Sequence, residues 1–406
     1  MDAFRRLYDW IRSFVSLRAD FKSWFLLAED QSSRNPAMEG MRAFAVLSVF
    51  LVHALGTYLS SHLKINADTY LSRFVAAIEE LDSIDKVLLF LQRSHLGVDL
   101  FFLLSGYLIC RSASRIQRFS AYRQFLWRRF LRIYPPFFLS LILCMILYIH
   151  VLHWQRFSFW QFAGNAMLLY GCPNLLLQAY NYVSWSLFWE IAFYIISPVQ
   201  FVLTRIAFGK SLWQLPAALG LFTVSCLFLS YQPRAAMFYY GVLLALASQE
   251  QLELLAARLQ SALVVGIYVA VESCFRLLPT SFGWFTPLYG LAASLLFVKV
   301  CFGKGWLARR FAWLPLRFVG NISYSFYLLH TPCIAIAWYV STVTNWPIGR
   351  FGGISAFLGL AMLFSLIVSM GSFLLTERWY FTNSRKHRAY DPVPVQDEAF
   401  VPRQAA

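Results

Sequence analysis

Apolar runs recur along nearly the whole chain, at about 41–60, 96–112, 134–151, 185–206, 212–230, 234–248, 262–279, 285–302, 320–343 and 352–375. Most are long enough for a helix, rising 1.5 Å per residue, to cross a hydrocarbon layer of ~30 Å. The sixth is short, and the seventh carries Glu272 and Arg276. The pattern predicts an all-α, polytopic transmembrane helix bundle of about ten spans. The polar segments between the runs set its orientation. Arg111, Arg115, Arg118, Arg123, Arg128, Arg129 and Arg132 lie between the second and third runs. Lys304, Arg309, Arg310 and Arg317 lie between the eighth and ninth, and Arg378, Arg385, Lys386 and Arg388 follow the tenth. In a ten-span chain all of these fall on one side, with the basic N-terminus. The positive-inside rule makes that side cytoplasmic and puts both termini there.

The flanking segments read differently. In residues 1–35, Phe4, Leu7, Tyr8, Ile11 and Phe14 recur at helical spacing, with Arg5, Asp9, Arg12 and Ser16 between them. This predicts a cytoplasmic amphipathic helix, lying on the membrane or packed on the protein. The interspersed charges exclude a cleaved signal peptide. The outer segment 61–94 is acidic, with Asp68, Glu79, Glu80, Asp82 and Asp85. Within 152–184, Phe159 to Tyr170 predicts a re-entrant or interfacial helix on the outer side. Residues 381–406 read as a disordered cytoplasmic tail. One membrane domain, 36–380, remains, with no visible internal repeat.

Composition agrees. Of 406 residues 59% are hydrophobic and 14% charged, against about 25% charged in soluble domains. The net charge of +15 raises the question of nucleic acid, but the basic residues sit at span ends, so no nucleic-acid partner is expected. Seven cysteines are scattered through or beside apolar runs with no close pair. They predict neither a disulfide framework nor a metal site.

The candidate chemistry starts with Arg42 and His53, in MEGMRAFAVLSVFLVHALGTYL. Eleven helical steps turn about 20° past three full turns, so the two side chains share a face, ~16 Å apart along the axis. Arg42 falls near the membrane surface and His53 inside it. An intramembrane histidine is either a general base or a hydrogen-bonding link between helices, and position alone leaves both open. Asp99, in GVDLFFLLSGYLI, falls near the outer end of the second span, where it either orients an imidazole or caps its helix. Arg128, Arg129 and Arg132 precede Ile133-Tyr134-Pro135-Pro136, whose prolines suit the first turn of a helix. Such guanidinium groups grip phosphate bidentately, although positive-inside bias explains most arginines in this stretch. Glu190, in SWSLFWEIAFYIISP, and Ser323, Tyr327 and His330, in NISYSFYLLHTP, are a possible acceptor site or structural links between helices. Pro332 frees backbone groups that polar neighbours must satisfy.

Together these segments resemble the acyltransferase 3 family of membrane-bound acyltransferases. MEGMRAFAVLSVFLVH is similar to that family's LDGLRGIAVLLVVLFH, with the spaced arginine and histidine kept as Arg42 and His53. GVDLFFLLSGYLI resembles its second-span signature, and FLWRRFLRIYPPFFL its arginine-rich entry to the third span. WSLFWEIAFYIISP is similar to WSLSVEEQFYLLWP, and ISYSFYLLHTP to ISYSLYLLHWP. The five motifs follow in the same order over about 36–380. Glu39 stands for an Asp, Ala43 for a Gly, Phe188 for a Ser, and Ile191 for a second Glu.

The resemblance implies an O-acyltransferase in a bacterial inner membrane. It would move an acyl group, most often acetyl from acetyl-CoA, to a hydroxyl of an envelope carbohydrate or glycolipid. Acyl-CoA is then a donor substrate, and no permanently bound cofactor is expected. In this reading Arg42, Arg128, Arg129 and Arg132 hold the donor's phosphates, His53 deprotonates the acceptor hydroxyl, and Asp99 orients His53. The rival reading is a transporter with a polar pathway through His53, Asp99, Glu190, Glu272 and His330. It would yield flux without a covalent product.

Overall fold

The computed structural model describes residues 25, 35–62, 83–92, 96–113, 116, 119–172, 175–208, 233–277, 282–344, 351–378 and 380. Residues 1–34 apart from Phe25, most of the acidic outer segment, the expected span at 212–230 and the tail 381–406 lie outside the described residues. Among the described residues every regular element is helical.

Helix α1 (Pro36–His62) holds Arg42 and His53 on one uninterrupted rod. Asn35 caps it, its Oδ1 accepting from Ala37 N at 3.0 Å, and Pro36 at the first helical position loses no needed bond. Next come α2 (Ser83–Gln92) and α3 (Gly97–Ala113). Helix α4 (Phe119–Met145) continues into a π-helical turn, Ile146–Val151. After these come α5 (Phe159–Ala166) and α6 (Trp185–Phe208). The second half comprises α7 (Met237–Leu246), α8 (Gln249–Arg258), α9 (Ser261–Leu277) and α10 (Phe282–Phe302). It closes with α11 (Trp306–Phe311), α12 (Leu314–Asn321), α13 (Ser323–Val343) and α14 (Phe351–Ser372).

Among the described residues five stretches are long and apolar enough to cross a membrane: Pro36–Ser61, Ser83–Ser112, Phe119–Val151, Ser323–Val343 and Gly352–Glu377. A sixth is possible if Gln249–Arg258 and Ser261–Arg276, which meet at 89°, count as one broken span. The charged pair of the seventh run is internally neutralised, with Arg276 and Glu272 at 2.7 Å one turn apart.

Two details position the site. Helices α3 and α7 touch backbone to backbone. A Cβ added at Gly106 would lie 1.8 Å from the Phe238 carbonyl oxygen, and one at Gly241 would lie 2.1 Å from that of Leu103. Small residues permit such an approach where burial of apolar surface drives little association. Helix α13 is central, 67% buried over its span, whereas Gly352–Glu377 is 28% buried and forms an outer face. α13 packs on α1, α4 and α14.

One expectation is corrected. Pro135 and Pro136 do not open a helix: they sit inside α4, which begins at Phe119. Arg128, Arg129 and Arg132 therefore ride on a helix rather than in a loop. Stacked rings carry the helix through the prolines, with Trp127 on Phe130 at 5.5 Å, Phe130 on Tyr134 at 4.7 Å and Tyr134 on Phe138 at 5.9 Å. Such packing offsets the hydrogen bonds that the prolines cannot donate.

Candidate active site

Pro332 shapes the first half of the site. It has no N–H, so the Leu328 carbonyl one turn earlier in α13 loses its helical partner. Asn181, from the segment between α5 and α6, supplies one: its Nδ2 donates to Leu328 O at 2.9 Å and to Ser140 Oγ at 3.2 Å. Next to this repaired turn, His330 is fully buried. Its Nδ1–H donates to Tyr327 O at 2.8 Å, with Phe326 O at 3.2 Å. Its Nε2 lies 2.7 Å from Nδ1 of His53, and the two rings stack at 5.0 Å and 21°. Tyr182 meets the His53 ring edge-on at 5.2 Å and is itself 42% exposed. Burial thus falls from His330 through His53 to Tyr182.

The second half is a partly open cavity lined by α1, α3, α4, α6 and α13. Arg42, Arg129 and Arg132 share its wall with Glu190, Ser323 and Tyr327. The Arg129 guanidinium lies over two rings, 5.4 Å from that of Phe125 and 5.5 Å from that of Tyr194, which fixes its direction. Tyr194 and Ser105 both donate to Glu190 Oε1. Ser323 Oγ is buried without a hydrogen-bond partner among the described residues. Three guanidinium groups around one cavity suit a ligand with several anionic groups.

Tyr327 joins the two halves. Its hydroxyl donates to Val183 O at 2.9 Å and meets Ser186 Oγ at 2.8 Å in the cavity wall. Its carbonyl, facing the other way, anchors His330. Neither histidine lines the cavity.

The structure therefore brings together Arg42, Arg129, Arg132, Glu190, Ser323 and Tyr327 at one place, and His53 and His330 at the next. Arg128 is not in the cavity wall. Asp99 is also apart from the pair. It is buried near Arg234, and among the described residues no side-chain or backbone group is in hydrogen-bond contact with either of its oxygens. The group that meets a ring nitrogen of His53 is His330. Asn181 and Tyr182 were not anticipated, although the carbonyl freed by Pro332 announced the need for a donor. Among the described residues no cluster of His, Cys, Asp or Glu is arranged to hold a metal.

No solved structure matches this chain. Over 358 residues it is 27% identical to the Bacillus subtilis (strain 168) protein named "Putative peptidoglycan O-acetyltransferase YrhL", covering 76% of this chain and 50% of that one. Over 205 residues it is 26% identical to "Acyltransferase MdmB" of Streptomyces mycarofaciens, covering 49% of this chain and 47% of the relative. The chain thus spans about half the length of the curated relatives it matches. The family described as "Acyltransferase domain" matches residues 35–370. This match takes in both halves of the site and most of the sequence: the chain belongs to the acyltransferase 3 family.

Proposed function

We propose that this chain is an integral membrane O-acyltransferase of the bacterial inner membrane, with about ten spans and both termini cytoplasmic. It moves an acyl group, acetyl in the simplest case, from cytoplasmic acyl-CoA to a hydroxyl of a cell-envelope carbohydrate. The observation that carries this reading is the His53–His330 pair at 2.7 Å, one turn of α13 beyond a cavity walled by three arginines.

Arg42, Arg129 and Arg132 bind the donor's phosphates. The thin pantetheine arm runs along α1, and covers the ~16 Å between Arg42 and His53 by passing Tyr327. The acceptor enters from the side of Tyr182. His53 takes the proton of its hydroxyl as the oxygen attacks the thioester carbonyl. The tetrahedral intermediate collapses, the ester forms, and the CoA thiolate leaves and recovers the proton from His53. Similarity to a protein named as a peptidoglycan O-acetyltransferase supports a cell-wall glycan as acceptor.

The test is transfer of label from acetyl-CoA to peptidoglycan fragments by the full chain in lipid nanodiscs. Native protein is expected to form an O-acetyl product, and His53→Ala to lower kcat by at least about 10³-fold. A folded His53→Ala protein with native turnover would remove the general base. Substrate flux with no covalent product would favour the transporter reading.

A further inference from the structure

The hydrogen bonds of the histidine pair decide which nitrogen of His53 is basic. Carbonyl oxygens only accept, so the contacts of His330 Nδ1 with Tyr327 O at 2.8 Å and Phe326 O at 3.2 Å require a proton on Nδ1. A neutral imidazole carries one N–H, so Nε2 of His330 is then a lone pair. A cationic His330 would be a fully buried charge that, among the described residues, faces carbonyls, rings and another imidazole. Across the 2.7 Å contact, His53 Nδ1 must therefore be the donor. Its own lone pair falls on Nε2.

We propose that His330 is a positioning residue: it locks His53 in the Nδ1–H tautomer and so makes Nε2 the single basic atom. This rests on the reading of His53 as general base. When Nε2 takes the acceptor's proton, His53 becomes an imidazolium whose Nδ1–H is still held by His330 Nε2. That bond is then charge-assisted and stronger than before. A neutral ring does here what a carboxylate does in a serine-hydrolase triad, orienting the base and stabilising its charged form. The arrangement also stops the proton. Beyond His330 the hydrogen bonds end on backbone carbonyls, which cannot take it, so His330 orients and does not relay.

The fold keeps this lock in register. Pro332 interrupts α13 two residues after His330, and Asn181 Nδ2 ties down the Leu328 carbonyl that the proline leaves open. The Tyr327 carbonyl that fixes the tautomer belongs to a residue whose hydroxyl is fixed on Ser186 and Val183.

The test compares His330→Leu, His330→Gln, His330→Ala and His53→Ala as full chains in nanodiscs, with labelled acetyl-CoA and peptidoglycan fragments. Each variant is first compared with native protein by thermal unfolding. His330→Leu removes the acceptor and is expected to lower kcat about 10²-fold, with the acetyl-CoA KM within about threefold of native. His330→Gln places an amide oxygen near the lost Nε2 and is expected to recover at least about tenfold of that loss. Imidazole added to His330→Ala is expected to restore turnover in the space vacated by the side chain, which covers a leucine variant that does not fold. Native kcat in His330→Leu overturns the lock, as does equal impairment of the leucine and glutamine variants. A dead His53→Ala beside a fully active His330→Leu sinks only the lock. An active His53→Ala sinks the general base itself.

Discussion

The two ends of α1 solve different problems. At Arg42 three guanidinium groups from two helices surround a partly open cavity with a carboxylate, three serines and several rings. Nothing there depends on a single short contact. Charge attracts from a distance and tolerates a shift of an ångström, which suits a large, flexible, multiply anionic ligand. Eleven residues later His53 meets His330 at 2.7 Å. That partner is fully buried and bonded to its own backbone. A proton is transferred only in narrow geometry, and here two helices, the segment between α5 and α6 and a proline supply it. The contrast teaches that one face of one helix carries both a loose binding end and a tight chemical end, with Tyr327 as the partition between them.

The comparison breaks most visibly if the loose end is stripped of charge. Arg129→Ala with Arg132→Ala removes two of the three guanidinium groups. Hydrogen bonds to charged groups contribute about 1.5–3 kcal/mol each, so the KM for acetyl-CoA is expected to rise by about 10²-fold or more. Turnover at saturating donor is expected to change far less, because the histidine pair is untouched. Steady-state kinetics with donor and acceptor varied separately checks this. A collapse of kcat with unchanged KM would mean that the cavity belongs to the chemistry rather than to donor binding.

Asn181→Leu tests the tight end without touching either histidine. It leaves the Leu328 carbonyl unpaired beside Pro332. An unsatisfied buried acceptor costs about 1–3 kcal/mol. The lower half of that range is expected, because Asn181 Oδ1 is already buried without a partner among the described residues and its removal gives something back. Thermal unfolding in detergent is expected to shift down by a few degrees, and kcat to fall by up to about tenfold as His330 loses its support. Donor KM is expected to stay near native. An unchanged melting temperature would show that the proline-broken turn needs no cap.

Much of α1 was legible in the sequence, because a helix face repeats every 3.6 residues and the Arg42–His53 spacing lies within one helix. What lay between helices was not. His53 and His330 are separated by 277 residues and Asn181 and Leu328 by 147. Periodicity within a helix records that a face is buried but not against which neighbour. Asp99 looked like the orienting group because it falls at a plausible depth, yet depth says nothing about azimuth, and the hydrogen bond comes from His330. The arginine run was misjudged for a related reason. Local rules put a helix start at paired prolines, whereas ring stacking along α4 carries the helix two turns and more before them.

The finest test of the loose end is Arg128→Ala. On α4, Arg129 and Arg132 straddle the direction of the cavity, about 60° apart as viewed down the helix, and Arg128 lies about 70° from the midpoint between them. It also sits four residues, or about 6 Å, before Arg132 along the axis. These offsets explain why it is missing from the cavity wall while both neighbours are present. Its charge then reaches a bound phosphate only at long range, through a region that salt screens. The expected change in acetyl-CoA KM is no more than about twofold at physiological salt, shrinking further as salt is raised. Arg129→Ala measured beside it supplies the contrast. If both raise KM equally, the donor is drawn by the general positive field of that membrane face, and the cavity has no special claim on it. If only Arg129→Ala does, the binding end is a site with walls, for all that its contacts are loose.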